Sequence, residues 1–171
     1  MVEIQISRDF LFKFPSDRWY FFQKSGVLWA KEENSSKYQI GLDSSTIYRI
    51  GEISRIQCRK GKVLQGKTLT RIESNNPGCC GSQFSIGLSS PFDLIILEQN
   101  QLVIERPLIL RDNCYDKGWF LRVEAIEKQD MRRGIQQGLE RVSPGDVEKL
   151  KKLGNARLKV LGLLDHGKQN L

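Results

Sequence analysis

Apolar and polar residues alternate along Trp19–Lys31 (WYFFQKSGVLWAK), a pattern of period two that predicts two strands joined by a turn at Ser25-Gly26. Tyr38–Leu42 (YQIGL) reads as a further short strand. Ser44–Ile50 fits one or two helical turns behind a cap at Asp43. Glu52–Cys58 (EISRIQC) is strand-like through Ile53 and Ile56, and Arg59-Lys60-Gly61-Lys62 is expected to turn the chain. Val63-Leu64 and Thr68–Glu73 flank a second glycine-centred turn at Gln65-Gly66-Lys67. Phe92–Leu97 (FDLIIL) and Trp119–Val123 (WFLRV) are the remaining strongly β-prone runs. Short, closely spaced strands from about Asp9 to Val123 predict a small barrel or sandwich rather than a parallel α/β sheet.

The period then changes. Met131, Ile135, Gly138/Leu139 and Val142 fall at helical spacing, as do Val147, Leu150, Leu153, Leu158, Leu161 and Leu164. Two C-terminal helices are expected to pair as a hairpin against the β body. Ser143 would be the N-cap of the second, Pro144 its first residue, and Asp146 the partner in a capping box. The chain thus divides into a β domain over residues 1–124 and a helical extension over residues 125–171.

A chain of 171 residues is long enough to bury its own core without staples. No apolar run reaches the length of a membrane span, and MVEIQISRDF lacks the apolar stretch of a signal peptide, so a cytoplasmic, non-membrane protein is expected. The net charge of +7 raises a nucleic-acid reading. The cations are interleaved with acids, however, and the region from Lys128 onward carries ten cations against five acids. That basic extension suits a protein partner or an acidic surface, or else packs on the β body. Cys58, Cys79, Cys80 and Cys114 contain no CxxC pair, and the single histidine, His166, lies in the tail. Neither a structural metal nor a serine-hydrolase constellation is expected, and no catalytic residue is assigned.

Two stretches carry candidate chemistry. Gly61-Lys62-Val63-Leu64-Gln65-Gly66-Lys67-Thr68 satisfies the G-x-x-x-x-G-K-T string of a phosphate-binding loop, but it runs into strand-like sequence where such a loop needs a helix. The second is RIESNNPGCCGSQF, Arg71–Phe84, which sets Cys79 and Cys80 between Gly78 and Gly81 at the tip of an expected hairpin. The pair reads in three ways: small residues tolerated in a tight turn, an exposed redox or sulfur-carrying thiol pair, or metal capture together with Cys58 or Cys114.

The order of several elements resembles the H-protein of the glycine cleavage system. Ile40-Gly41-Leu42-Asp43 leads to Ile50-Gly51-Glu52, and Gly61 through Gly66 resembles that family's G-x-x-V-x-x-G turn with one residue fewer before Val63. Ile72-Glu73-Ser74 matches its V-E-S, Ser90-Pro91 its S-P, Gln99-Asn100 its V-N, and Tyr115-Asp116-Lys117-Gly118-Trp119 its Y-G-E-G-W. Asp17-Arg18-Trp19 echoes an early H-x-W without the histidine. The resemblance covers about Asp9 to Glu124. It implies a mainly β barrel-sandwich hybrid of the lipoyl-domain type, and a non-enzymatic carrier in which a lysine at the hairpin tip bears lipoate.

Here the matching positions are Asn76, counted from Ile72-Glu73-Ser74, or Gln83, counted back from Ser90-Pro91; the two differ by seven residues, which marks an insertion near Pro77–Gln83. Neither carboxamide can accept lipoate. The reading is therefore an H-protein-like carrier or adaptor with no covalent lipoate and no other cofactor. Its partner-facing loop would be Glu73, Asn76, Gly78, Gly81 and Gln83, with Cys79 and Cys80 as the thiol candidates. A basic nucleic-acid-binding module is the rival.

Overall fold

The computed structural model describes residues 1–7, 10–75, 84–127 and 139–160. Twelve strands and four helices are formed by these residues. In chain order they are β1 (Val2–Ser7), β2 (Phe10–Phe14), β3 (Trp19–Gln23), β4 (Gly26–Asn34), β5 (Lys37–Leu42), α1 (Ser44–Ile50), β6 (Ile53–Cys58) and β7 (Gly61–Val63). They continue with β8 (Thr68–Ser74), β9 (Phe84–Ser89), β10 (Leu94–Gln99), α2 (Gln101–Glu105), α3 (Ile109–Asn113), β11 (Trp119–Ala125), β12 (Glu140–Val142) and α4 (Val147–Val160).

The strands form antiparallel sheets of seven (β12-β3-β4-β5-β11-β10-β7), three (β6-β8-β9) and two (β1-β2). Alternation explains how the two larger sheets meet. Leu28, Ile40, Leu42, Leu94 and Phe120 of one join Ile53, Ile56, Ile72, Ile86 and Leu88 of the other in a single buried core. Gln23 of β3 clips them together, donating from Nε2 to Ser89 O (2.8 Å) and accepting from Ser89 N (2.9 Å). A second core lies apart from the first. The aromatic and aliphatic residues Tyr20, Phe22, Val27 and Trp29 meet Val2, Ile4, Phe12 and Phe14 of β1–β2, with Leu150 and Leu158 of α4. Gly154 lets the helix approach, since a methyl group there would lie 2.6 Å from Ile4 Cδ1.

The expected strands and α1 form, with differences of detail that have physical causes. The β3–β4 turn is Lys24-Ser25, because Gln23 pairs with Gly26. Gly61 and Lys62, read as part of a turn, belong to β7, which pairs with β10. β10 begins at Leu94 rather than Phe92. The β1–β2 and β9 strands and the two five-residue helices α2 and α3 were not foreseen.

The C-terminal region differs more. Val142, assigned to a first helix, lies in β12, where it pairs with Tyr20 and is fully buried in the second core. Residues 128–138, the rest of that expected helix, lie outside the described residues. The second helix forms as α4 over Val147–Val160, with Leu161 and Leu164 outside the described residues, but its cap is Asp146, whose Oδ1 accepts from Lys149 N at 3.1 Å. Ser143 and Pro144 precede the helix, because Gly145 turns at φ +84° and donates its amide to Ser16 O (2.8 Å). Among the described residues, no helix is long and apolar enough to cross a membrane.

Candidate functional site

The three-stranded sheet presents the β8–β9 hairpin, whose connecting loop carries most of the candidate residues. Register pairs Ile72 with Ile86, Glu73 with Ser85 and Ser74 with Phe84, so the described strands run to the mouth of the loop. Side chains at Thr70, Ile72 and Ser74 point inward and are buried, while Arg71 is exposed, as the period of a half-buried strand requires. The mouth is tied to α1. Ser74 Oγ donates to Ile50 O (2.7 Å), and Asn75 N donates to Glu52 O (3.1 Å). Gly51 adopts φ +77° between them, so the chain leaves α1 and enters β6 beside Ser74 and Asn75.

The helix that anchors this mouth is set by Asp43. Its Oδ1 accepts from Thr46 N (3.0 Å), and its Oδ2 accepts from Ser45 N (2.9 Å) and Ser45 Oγ (2.5 Å). The side chain is fully buried, and this burial pushes the carboxyl above its usual range despite the hydrogen bonds that favour the ionised form. Beside the same mouth lies a cleft of about 480 Å³ lined by Phe12, Ser44, Tyr48, Glu52, Leu110 and Arg111 among others. The sequence reading missed it. Its one local signal was Tyr48, an aromatic on the outer side of α1 that stays 48% exposed while meeting Phe12 edge to face.

Of the candidate loop residues, Glu73 is placed: it lies on β8, half-buried, in register with Arg55 and Ser85. Asn76, Gly78, Cys79, Cys80, Gly81 and Gln83 lie outside the described residues. The other two cysteines are poor nucleophiles. Burial pushes the Cys58 thiol up to about 11, partly offset by a contact with Thr70 Oγ1 at 3.5 Å. Burial, then the charge of Asp43, pushes Cys114 up to about 12.

The phosphate-loop string is a turn whose amides are already engaged. Gln65 N donates to Asp93 Oδ1 (2.6 Å), Gly66 N to Ser90 O (2.9 Å) and Lys67 N to Leu64 O (3.1 Å). Strand β8 follows, where a phosphate-binding loop requires the N-terminus of a helix. Ser90 is structural as well, its Oγ donating to Phe92 O at 2.7 Å. Trp119 and Trp19 lie under the guanidinium groups of Arg122 (5.0 Å) and Arg141 (5.3 Å). Arg122 is in turn held by Glu33 and Glu98, so this pairing is neutralised rather than presented to phosphate.

Comparison with known proteins follows the same geometry. Residues 19–152 match the glycine cleavage H-protein family. The chain is 30% identical over 122 residues to glycine cleavage system H protein 5 of Aquifex aeolicus, covering 69% of this chain and 77% of that protein. It is 21% identical over 121 residues to a probable glycine cleavage system H protein 2 of Saccharolobus solfataricus, covering 70% and 77%. In structure it resembles a glycine cleavage system H protein from Mycobacterium marinum, with a TM-score of 0.60 at 18% identity, over 82% of this chain and 99% of the other. The sandwich is thus of the lipoyl-domain type, although no strand pairing among the described residues closes it into a barrel. With the match spanning the hairpin and both flanking sheets, the chain belongs to the glycine cleavage H-protein family, whose members are carrier proteins and not enzymes.

Proposed function

We propose that this chain is an H-protein-like carrier or adaptor that works without covalent lipoate and meets partner proteins through the tip of the β8–β9 hairpin, in the cytoplasm. One observation carries the reading: no lysine lies between Ser74 and Ser90, the stretch in which the family's arm would be attached. The surroundings favour retention of the tip as a working end. Ser74 and Asn75 still fix the loop mouth to α1, so the ends of β8 and β9 are held in place on the body of the protein. Coexpression with a lipoate ligase followed by intact-mass measurement tests it. An unmodified mass is expected, and a lipoyl increment on any lysine would sink the proposal.

A second reading, thiol carriage by Cys79 and Cys80, is favoured by the inertness of the other thiols. Cys58 and Cys114 are held in the protonated, unreactive form near neutral pH by burial. Redox or sulfur chemistry would then fall to the loop pair, where flanking glycines permit a partner's close approach.

A further inference from the structure

We infer that the outward face of the β6–β8–β9 sheet, running down from the hairpin tip, docks an acidic surface of a partner protein. The inference rests on the carrier reading above and adds the partner's charge to it. Register sets Arg55, Glu73 and Ser85 in one row across the sheet and Gln57, Arg71 and Gly87 in the next. At the basal end, Arg59 N donates to Leu69 O (3.0 Å) and Lys67 O accepts from Ser90 N (2.7 Å), which adds Arg59, Lys60 and Lys67 to the same end of the sheet. These five cations, Arg55, Arg59, Lys60, Lys67 and Arg71, are all exposed, and the acid among them is the half-buried Glu73.

What gives the face its meaning is the grouping of these cations on one side of a small sheet with a single acid among them. Four cations elsewhere are held in ion pairs with described residues, Lys13 with Glu3 (3.8 Å), Lys31 and Arg18 with Asp17 (3.6 and 2.9 Å), and Arg122 with Glu33 and Glu98, while the half-buried Lys149 and exposed Lys151 of α4 have no such pair and serve as the comparison below. Among the described residues, none of the five hairpin-face cations has an ion-pair partner. An unneutralised strip of one sign attracts its complement and sets the orientation of encounter, and guanidinium groups take carboxylates in a bidentate fork. The face is also open in its middle. Among the described residues, a methyl group at Gly87, the residue paired with Arg71, would meet only Thr68 Cγ2, at 3.8 Å.

Phosphate would feel the same field, but two features favour protein over nucleic acid. Among the described residues, the exposed neighbours on the face are Ser54, Gln57, Thr68, Ser85 and Gly87, none of them an aromatic that could stack an unpaired base. A three-stranded sheet is broader than the helix or two-stranded ribbon that a duplex major groove admits.

The test uses the full, isotope-labelled chain at about 150 mM salt, where distant surface charges are screened. Its probes are a Glu-rich helical peptide of about twenty residues and, separately, single-stranded and duplex DNA of about equal length. The peptide is expected to shift the amides of Arg55, Gln57, Arg71 and Gly87. The double variant Arg55→Glu/Arg71→Glu is expected to weaken it by about tenfold or more, and Gly87→Trp to weaken it several-fold with no change in charge. Lys149→Glu/Lys151→Glu, the same charge change on α4, should leave binding within about twofold. Tighter binding of DNA through the same residues, or equal weakening by the α4 variant, would overturn the inference. If the double variant does not fold, Gly87→Trp decides, since residue 87 lies in open space. A lipoyl adduct would sink the carrier proposal and leave this titration unaffected, so the two fail separately.

Discussion

Trp29 and Gly41 face each other across β4 and β5, and a methyl group at residue 41 would lie 2.3 Å from Trp29 Cζ2. The indole cannot yield easily, because its Nε1 donates to Leu42 O (2.8 Å) and Cys114 O (3.1 Å) in a fully buried site. Gly41→Ala is therefore expected to destabilise the chain by about 1–3 kcal/mol through overpacking, read as a lower urea midpoint with unchanged slope. A midpoint equal to that of the unsubstituted protein would show that Trp29 repacks freely.

Asp43 gives a pH dependence with a definite sign. Its folded-state value is raised above the ordinary value of 3.8, so its contribution to stability is full below that value and is lost as pH rises through the folded value. Asp43→Asn keeps a capping oxygen but cannot ionise. The stability advantage of the native aspartate over this variant should accordingly shrink between acid and neutral pH. An advantage that grows with pH would mean that the carboxylate is stabilised by its surroundings. Asp43→Ala should cost about 1–3 kcal/mol at acid pH, because the Ser45 and Thr46 amides lose their acceptors, and its cost should shrink with rising pH as it does for Asp43→Asn.

The thiols should separate by rate. At about pH 8, alkylation of the native protein is expected to reach Cys79 or Cys80 well before Cys58 and Cys114, whose thiolate fractions are about a thousandth or less at values of about 11 and 12. Peptide mapping of the labelled sites reads the order. Preferential labelling of Cys58, or equal protection of all four, would remove the thiol-carrier reading.

ATP and GTP should not bind at the turn before β8. Lys67 is exposed there, and the amides around it donate to Asp93, Ser90 and Leu64. Calorimetry should give no saturable heat; saturable binding abolished by Lys67→Ala would contradict the assignment.

What could be read from the chain alone was what local chemistry determines. The Asp43 cap followed by Ser44–Ile50 announces α1, and alternation announces β5, β6, β8 and β11. What escaped was decided at a distance. Leu139 and Val142 fit a helical period, but Val142 is buried by pairing with Tyr20, far back in the chain. Ser143 has the chemistry of a cap and loses the role to Asp146 because Gly145 is held by Ser16. α2 has only five residues and no side-chain cap, too little pattern to detect. At the site, the absence of a lysine between Ser74 and Ser90 was plain in the residues. The grouping of the five cations was not, since it depends on which strands pair and in what register.

The second core also bears on how the molecule is made. Ile4 of β1 rests against Gly154 of α4, so this strand is covered by a helix synthesised about 150 residues after it. At ~5–20 residues per second, Val2, Ile4, Phe12 and Phe14 wait on the order of ten seconds or more for that cover. Nascent chains arrested before α4 should therefore be cut by protease within β1–β2, and chains carried past Val160 should resist. The β1–β2 hairpin would then be guarded during synthesis by whatever binds exposed apolar surface on newly made chains, and latched only once α4 has emerged.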